Sequence, residues 1–178
     1  MSRLRPDAYP SWAERDSSVA RWMHGASTRD WVVRVLDAVS RIGDGWVWYI
    51  VILALPWFGR ESGTACAIRM AIVGLVDLTL YLIIKRWIAR PRPCRAIPGV
   101  RACSRPLDEY SFPSGHTLHS VAFSVIITVY YPVLAVVVWP FTLLLALSRV
   151  VLGLHYPSDV IVGALIGALM AGISFNLL

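Results

Sequence analysis

With 178 residues, 57% of them hydrophobic, and a mean hydropathy of +0.60, the chain is too apolar for an ordinary soluble domain of its length. Lys and Arg exceed Asp and Glu by 17 to 11, but the excess is local: six Arg lie between Arg86 and Arg105, beside Lys85. Held between apolar segments, that basic loop offers little surface to a duplex, so no nucleic acid partner is expected.

Residues 1–28 read as a loose polar tail, with a short helix over residues 17–24 and a solvated His24. Residues 1–30 are charged and carry no apolar core of a cleavable leader, so membrane insertion falls to the internal apolar segments. From Asp30 to Ile42 the apolar residues Trp31, Val32, Val35, Leu36, Val39 and Ile42 recur at helical spacing between Arg34, Asp37 and Arg41. This predicts an amphipathic helix lying in the membrane interface, the alternative being a helix folded back over the core. Gly43, Asp44 and Gly45 break it.

Five apolar spans follow. The first, Trp46–Phe58, is short and bordered by Trp and Tyr. The second, residues 64–87, carries Arg69, expected to snorkel, and Asp77, expected to face protein and find a partner. A basic, Pro-rich loop over residues 88–112 leads to the third, residues 114–131, where Pro113 suits a first helical turn. The fourth covers residues 133–149, and the fifth runs from Pro157 to the C-terminus. In the fifth, Gly163, Gly167 and Ala171 recur every four residues, as do Ala164, Ala168 and Gly172, a spacing that lets helices approach closely in lipid. The expected fold is therefore an all-α integral membrane bundle of about five transmembrane helices plus an N-terminal interfacial amphipathic helix. It forms one domain over residues 29–178.

Parity assembles a site. The second span ends where the third begins, and the third and fourth form a hairpin. Lys85, Arg92, Ser114, Gly115, His116, Arg149, His155 and Asp159 thus share one membrane face. Lys85, Arg92 and Arg149 supply cations that match phosphate oxygens. Ser114 and Gly115 open a helix N-terminus whose free amides favour an anion. Two imidazoles and a carboxylate complete a set suited to phosphoryl transfer: one His attacks phosphorus, the other protonates the leaving oxygen, and the carboxylate orients the nucleophile. Arg86, Arg90, Arg95, Arg101 and Arg105 read as headgroup-binding or solvated, and His119 as a hydrogen-bonded lining residue. The Cys content fits neither a zinc ribbon nor a CxxC pair, although Cys94 and Cys103 sit close enough in one loop to bridge in an oxidising compartment.

Lys85-x6-Arg92-Pro93, Pro113-Ser114-Gly115-His116 and Ser148-Arg149-x5-His155-x3-Asp159 resemble the three signature motifs of the type 2 phosphatidic acid phosphatase superfamily. The resemblance covers residues 30–178. It implies His155 as the nucleophile that forms a phosphohistidine, His116 as the acid for the leaving group and Asp159 as the partner of His155. Lys85, Arg92, Ser114, Gly115 and Arg149 would cradle the phosphoryl oxygens, with no metal and no cofactor. Many relatives have six spans, and the segment Trp31 to Gly45 resembles the interfacial helix after their first.

The expected function is an integral-membrane lipid phosphatase with a lipid phosphate substrate. A polyprenyl phosphate or diphosphate is favoured over phosphatidylglycerophosphate, phosphatidate or lipid A phosphate. A non-enzymatic anion carrier would not need the histidine–carboxylate set, and a vanadate-dependent haloperoxidase, whose anion site is similar, would be soluble. The expected location is the bacterial cytoplasmic membrane. Basic residues favour a cytoplasmic active face. The Cys pair and the resemblance to relatives working outside the cytoplasm favour the periplasmic one, which is the expectation adopted here.

Overall fold

A computed structural model describes residues 11–177, and among them there is no β-strand. Eight α-helices occur in order: α1 Ser11–His24, α2 Asp30–Ile42, α3 Trp46–Phe58, α4 Gly63–Ile88, α5 Pro93–Ala96, α6 Gly115–Tyr130, α7 Ala135–Val151 and α8 Pro157–Leu177. The five expected spans are α3, α4, α6, α7 and α8. Arg60–Ile88, Pro132–Val151 and Pro157–Leu177 are each long and apolar enough to cross a bilayer, and α2 with α3 qualifies as a pair bent by 47°. With 16 residues, α6 falls short of the ~20 that a crossing needs. It is the central helix, with Leu118, Ala122, Phe123 and Ile126 buried.

Residues 1–10 of the expected loose tail lie outside the described part. The short helix expected over residues 17–24 is present but longer: α1 starts at Ser11, and it buries Asp16, Ala20 and His24. His24 is not solvated. Its Nδ1 donates to the Val151 carbonyl at 2.8 Å and its Nε2 accepts from the Arg101 amide at 3.2 Å. Both ring nitrogens are thereby paired, which is what makes a buried imidazole tolerable. Helix α2 divides its apolar residues between two environments. Leu36 packs with Val151, Leu152 and Leu154, while Trp31, Val35 and Ile42 stay exposed. The helix is thus folded over the end of α7 and also presents an apolar edge outward.

Two charged residues of α4 were expected differently. Arg69 does not snorkel. It is buried, donates to Tyr130 Oη at 3.1 Å and to the Ser174 carbonyl, and lies 4.3 Å over the Phe175 ring. Asp77 does face protein, being fully buried, but neither carboxylate oxygen has a hydrogen-bond partner among the described residues. Around these, Trp48, Met70, Val73, Phe123 and Ile126 form the main apolar core.

Helices α6 and α8 are in backbone contact. A Cβ added at Gly163 would stand 2.6 Å from the Ser114 carbonyl oxygen, and one at Gly167 would stand 2.2 Å from that of Leu118. Of the two small-residue stripes expected in the fifth span, the one through Gly163 and Gly167 is therefore the contact surface, whereas Ala168 and Gly172 of the other are exposed. Gly167→Val should separate the two helices. Overpacking of this kind costs typically 1–3 kcal/mol, so a clear drop in melting temperature in detergent is expected, larger than for Gly172→Val, whose site is open.

Candidate active site

The site lies where four helix ends and two loops meet. Helix α4 brings Tyr81 and Lys85 to its C-terminal turns and then stops at Ala89, which takes a left-handed conformation with φ 47°. Arg92 follows as the N-cap of α5, with Pro93 behind it. Helix α6 begins at Gly115, with Ser114 as N-cap, so Pro113 stands outside the helix and not in its first turn. Ser114 does not close the helix end with its hydroxyl, which meets Thr117 Oγ1 at 3.0 Å instead. Its amide donates to the Asp159 carbonyl at 3.0 Å, joining the starts of α6 and α8. Gly115 is required because a Cβ there would meet the Tyr81 ring at 2.7 Å.

All eight residues nominated from the sequence come to this end of the bundle. Lys85, Arg92, Ser114, Arg149, His155 and Asp159 are buried, and Gly115 and His116 are half-buried. Arg149 donates to Ser40 of α2, while its Nε has no hydrogen-bond partner among the described residues. A buried guanidinium with a spare donor suits an arriving anion. Arg92 donates from Nη1 to the Leu154 carbonyl at 2.8 Å and meets His155 Nε2 at 3.3 Å. Because guanidinium can only donate, His155 Nε2 is the acceptor and its proton sits on Nδ1. Nδ1 faces Asp159 Oδ2 at 3.7 Å, beyond hydrogen-bond range but within a short adjustment of it. Burial holds the His155 imidazole well below its ordinary pKa, and the charges of Arg149, Arg92 and Lys85 act in the same direction. The ring is neutral, with its Nε2 lone pair directed at the cationic side of the site.

Several residues here escaped the sequence argument. Asp108 accepts from Lys85 Nζ at 2.6 Å, from Arg92 Nη2 at 2.7 Å and from Tyr81 Oη. Burial opposes its ionisation, but the hydrogen bonds of Lys85 and Tyr81 and the charges of Lys85 and Arg92 hold its carboxyl below the usual range. Asp108 thus takes the donors that a phosphate would use. Asp44 accepts from His116 Nε2 at 2.7 Å. Its place between Gly43 and Gly45, at a helix break, was the available signal. Arg90 is also misassigned by its neighbours: Arg86, Arg95, Arg101 and Arg105 are exposed, whereas Arg90 bonds to Asp159 Oδ1 and Asp16 Oδ2, each at 2.7 Å. His119 donates to the Gly115 carbonyl at 2.9 Å. It also lines an apolar cleft of about 450 Å³ that runs from His116 and Gly115 past Leu75, Leu78 and Phe123. The three cysteines are free, so of the two readings left open, a loop bridge or unrelated thiols, the structure has the second. Cys94 packs beside Ile97 and Tyr156, whereas Cys103 packs beside Leu152 and Leu154.

The family model of the PAP2 superfamily matches residues 63–178. The chain belongs to this superfamily. The matched segment holds every residue nominated from the sequence. Decaprenylphosphoryl-5-phosphoribose phosphatase of Mycobacterium tuberculosis is 32% identical over 142 residues, covering 76% of this chain and 74% of that one. Undecaprenyl-diphosphatase BcrC of Bacillus subtilis is 30% identical over 129 residues, covering 71% of this chain and 64% of that one. Among solved structures, Aquifex aeolicus LpxE superposes with a TM-score of 0.81 at 21% identity, over 97% of this chain and 99% of that one. This PAP2 protein therefore has the fold of a PAP2 membrane phosphatase throughout, including α1 and α2.

A dianion entering the site must take Lys85 and Arg92 away from Asp108. Asp108→Asn removes the competing charge while keeping the shape. Inhibition by inorganic phosphate or orthovanadate should tighten by about tenfold, which corresponds to about 1.4 kcal/mol. Weaker inhibition would mean that Asp108 organises the cations rather than competing for them.

Proposed function

We propose that this PAP2 lipid phosphatase hydrolyses a polyprenyl phosphate or diphosphate through a phosphohistidine on His155, without a metal. The observation that carries the reading is the placement of a neutral, buried His155 Nε2 against Arg92, beside the spare donor of Arg149. Lys85, Arg92, Arg149 and the first-turn amides of α6 take the phosphoryl oxygens once Asp108 yields. Negative charge developing on those oxygens meets donors already in place in a dry site. His155 Nε2 attacks phosphorus, the P–N bond forms, and the P–O bond to the lipid breaks. Asp159 accepts a hydrogen bond from Nδ1–H as the ring becomes cationic. His116, doubly protonated with its Nε2–H held by Asp44, gives its Nδ1 proton to the departing lipid oxygen. Water then attacks phosphorus, His116 takes its proton, and the P–N bond breaks to release phosphate.

The cleft beside His116 supports a lipid substrate. Trp48, Ile52, Met70, Leu75, Leu78 and Phe123 line it, so a chain leaving the phosphate enters an apolar channel at membrane depth. Both curated relatives named above carry polyprenyl substrates in their names, which favours that lipid class over glycerolipids. Among the described residues no group of three or more His, Cys, Asp or Glu is placed to hold a metal ion. Phosphate release from purified lipid phosphates in EDTA tests the reading, with polyprenyl diphosphate and monophosphate expected to exceed phosphatidate, phosphatidylglycerophosphate and lipid A. His155→Ala should abolish phosphoenzyme and lower turnover by about 10⁴-fold or more. His116→Ala and Asp44→Asn should slow alkyl phosphates far more than activated aryl phosphates, because only the former need a proton on the leaving oxygen. Equal losses on both substrate types would remove His116 from the acid role.

We place the protein in the bacterial cytoplasmic membrane with its active face on the periplasmic side. The free Cys94 and Cys103 no longer argue for that side, so the proposal leans on the family. Because α1 contacts the site, the tail and the active face share a side. A Ser2→Cys variant, with Cys66, Cys94 and Cys103 changed to Ser, should react with impermeant maleimide on intact cells. Reaction only after lysis would put the active face in the cytoplasm.

A further inference from the structure

Arg90 stands outside the nominated phosphate cradle, yet both terminal nitrogens of its guanidinium are bonded to protein. Nη1 donates to Asp159 Oδ1 at 2.7 Å and to Ser158 Oγ at 2.7 Å, and Nη2 donates to Asp16 Oδ2 at 2.7 Å. The group lies 3.7 Å over the Tyr156 ring. Asp16, from α1, also accepts from the Ser158 amide at 3.0 Å and from the Ser158 hydroxyl. A helix outside the segment matched by the family model is thus tied to the first turn of α8.

The geometry points to Arg90 as a positioning residue that fixes Asp159 against His155, and to Asp16 as the anchor that fixes Arg90. Asp159 is fully buried and both of its oxygens are assigned. Oδ1 is held by Arg90, and Oδ2 accepts from the Tyr156 amide at 2.8 Å while facing His155 Nδ1 at 3.7 Å. With both oxygens tied, the carboxylate cannot rotate, and its Oδ2 stays aimed at the ring nitrogen. Without Arg90 a buried carboxylate loses its cation, and a second carboxylate, Asp16, remains one residue away through Ser158. The arrangement is an Asp16–Arg90–Asp159–His155 series in which each member orients the next. Both terminal nitrogens of Arg90 are taken by protein partners, so its effect passes through Asp159 and His155 and not through phosphate binding.

The assignment rests on the lipid-phosphatase reading for its kinetic consequence, but not for its structural one. Arg90→Gln should lower kcat by about 100-fold, the scale of a misplacement of about 1 Å, with KM within about threefold of wild type. Asp16→Asn should lower kcat by about tenfold, and the double variant should match Arg90→Gln alone, since residues acting in series are not additive. Arg90→Lys should recover part of the loss. In parallel, ¹⁵N spectra of the histidine imidazoles in detergent, with His155→Asn to assign the signal, should show the Nδ1–H form for His155 in wild type. Arg92 keeps Nε2 the acceptor, so Arg90→Gln should retain the Nδ1–H form while shifting its Nδ1 signal as Asp159 moves, and Arg90→Lys should move the signal back. If Arg90→Gln fails to fold, Asp16→Asn carries the same two readouts. An unchanged Nδ1 signal overturns the assignment, as does a rise in KM at constant kcat or additive losses in the double variant. If wild type hydrolyses no lipid phosphate, the functional reading fails while the Nδ1 signal still decides the role of Arg90.

Discussion

The backbone contact between α6 and α8 is the constraint on which the site depends. Gly163 and Gly167 bring α8 against the carbonyls of Ser114 and Leu118. At that separation the Ser114 amide reaches the Asp159 carbonyl, so the N-termini of the two helices are locked side by side. One of those termini presents free amides and His116. The other presents Asp159, with His155 just before it. In lipid there is no water to drive helices together, and close packing of small residues supplies the association instead. The spacing between His116 and the His155–Asp159 pair, to which the proposed mechanism gives the acid and nucleophile roles, is therefore set by two residues that have no side chain.

The second constraint is charge in a dry place. Lys85, Arg92 and Arg149 are buried at one end of the bundle, where isolated cations are costly. Asp108 compensates two of them directly, and Ser40 takes a donor of the third. That compensation has a functional form. Under the mechanism proposed above, the carboxylate occupies donors that a phosphoryl group would use, so Asp108 must yield before they turn to substrate. Once turned, donors fixed in a dry site need no further rearrangement as charge develops in the transition state. Burial, and after it the same positive surroundings, hold the His155 imidazole below its ordinary pKa, which suits the nucleophile proposed above.

Away from the site the bundle tolerates two other ionisable side chains. Arg69 is satisfied by α8 and by aromatic rings. Asp77 is buried without a hydrogen-bond partner among the described residues, and nothing in the structure accounts for it.

Much of this was legible in the sequence. Apolar segment lengths and charge placement showed a helical membrane bundle, and the parity of the spans placed Lys85, Arg92, Ser114, His116, Arg149, His155 and Asp159 on one face. The four-residue repeat of Gly163 and Gly167 marked the helix contact. These features are one-dimensional: periodicity, run length and the alternation of sides survive without coordinates. The partners of the site did not. Asp108 and Arg90 sit in a loop whose composition looks merely basic, Asp44 in a helix break, and Asp16 in a stretch that reads as a polar tail. Each acquires its role from a residue far away in the chain: Asp108 from Lys85, Asp44 from His116, Asp16 from Ser158. His24 looked solvated for the same reason, because its partners Val151 and Arg101 are distant in sequence. The apolar and small-residue pattern of the chain by itself determined a membrane bundle with a polar end. Which carboxylate meets which cation was decided only by the tertiary structure, because hydrogen bonds act over about 3 Å and leave no period in the sequence.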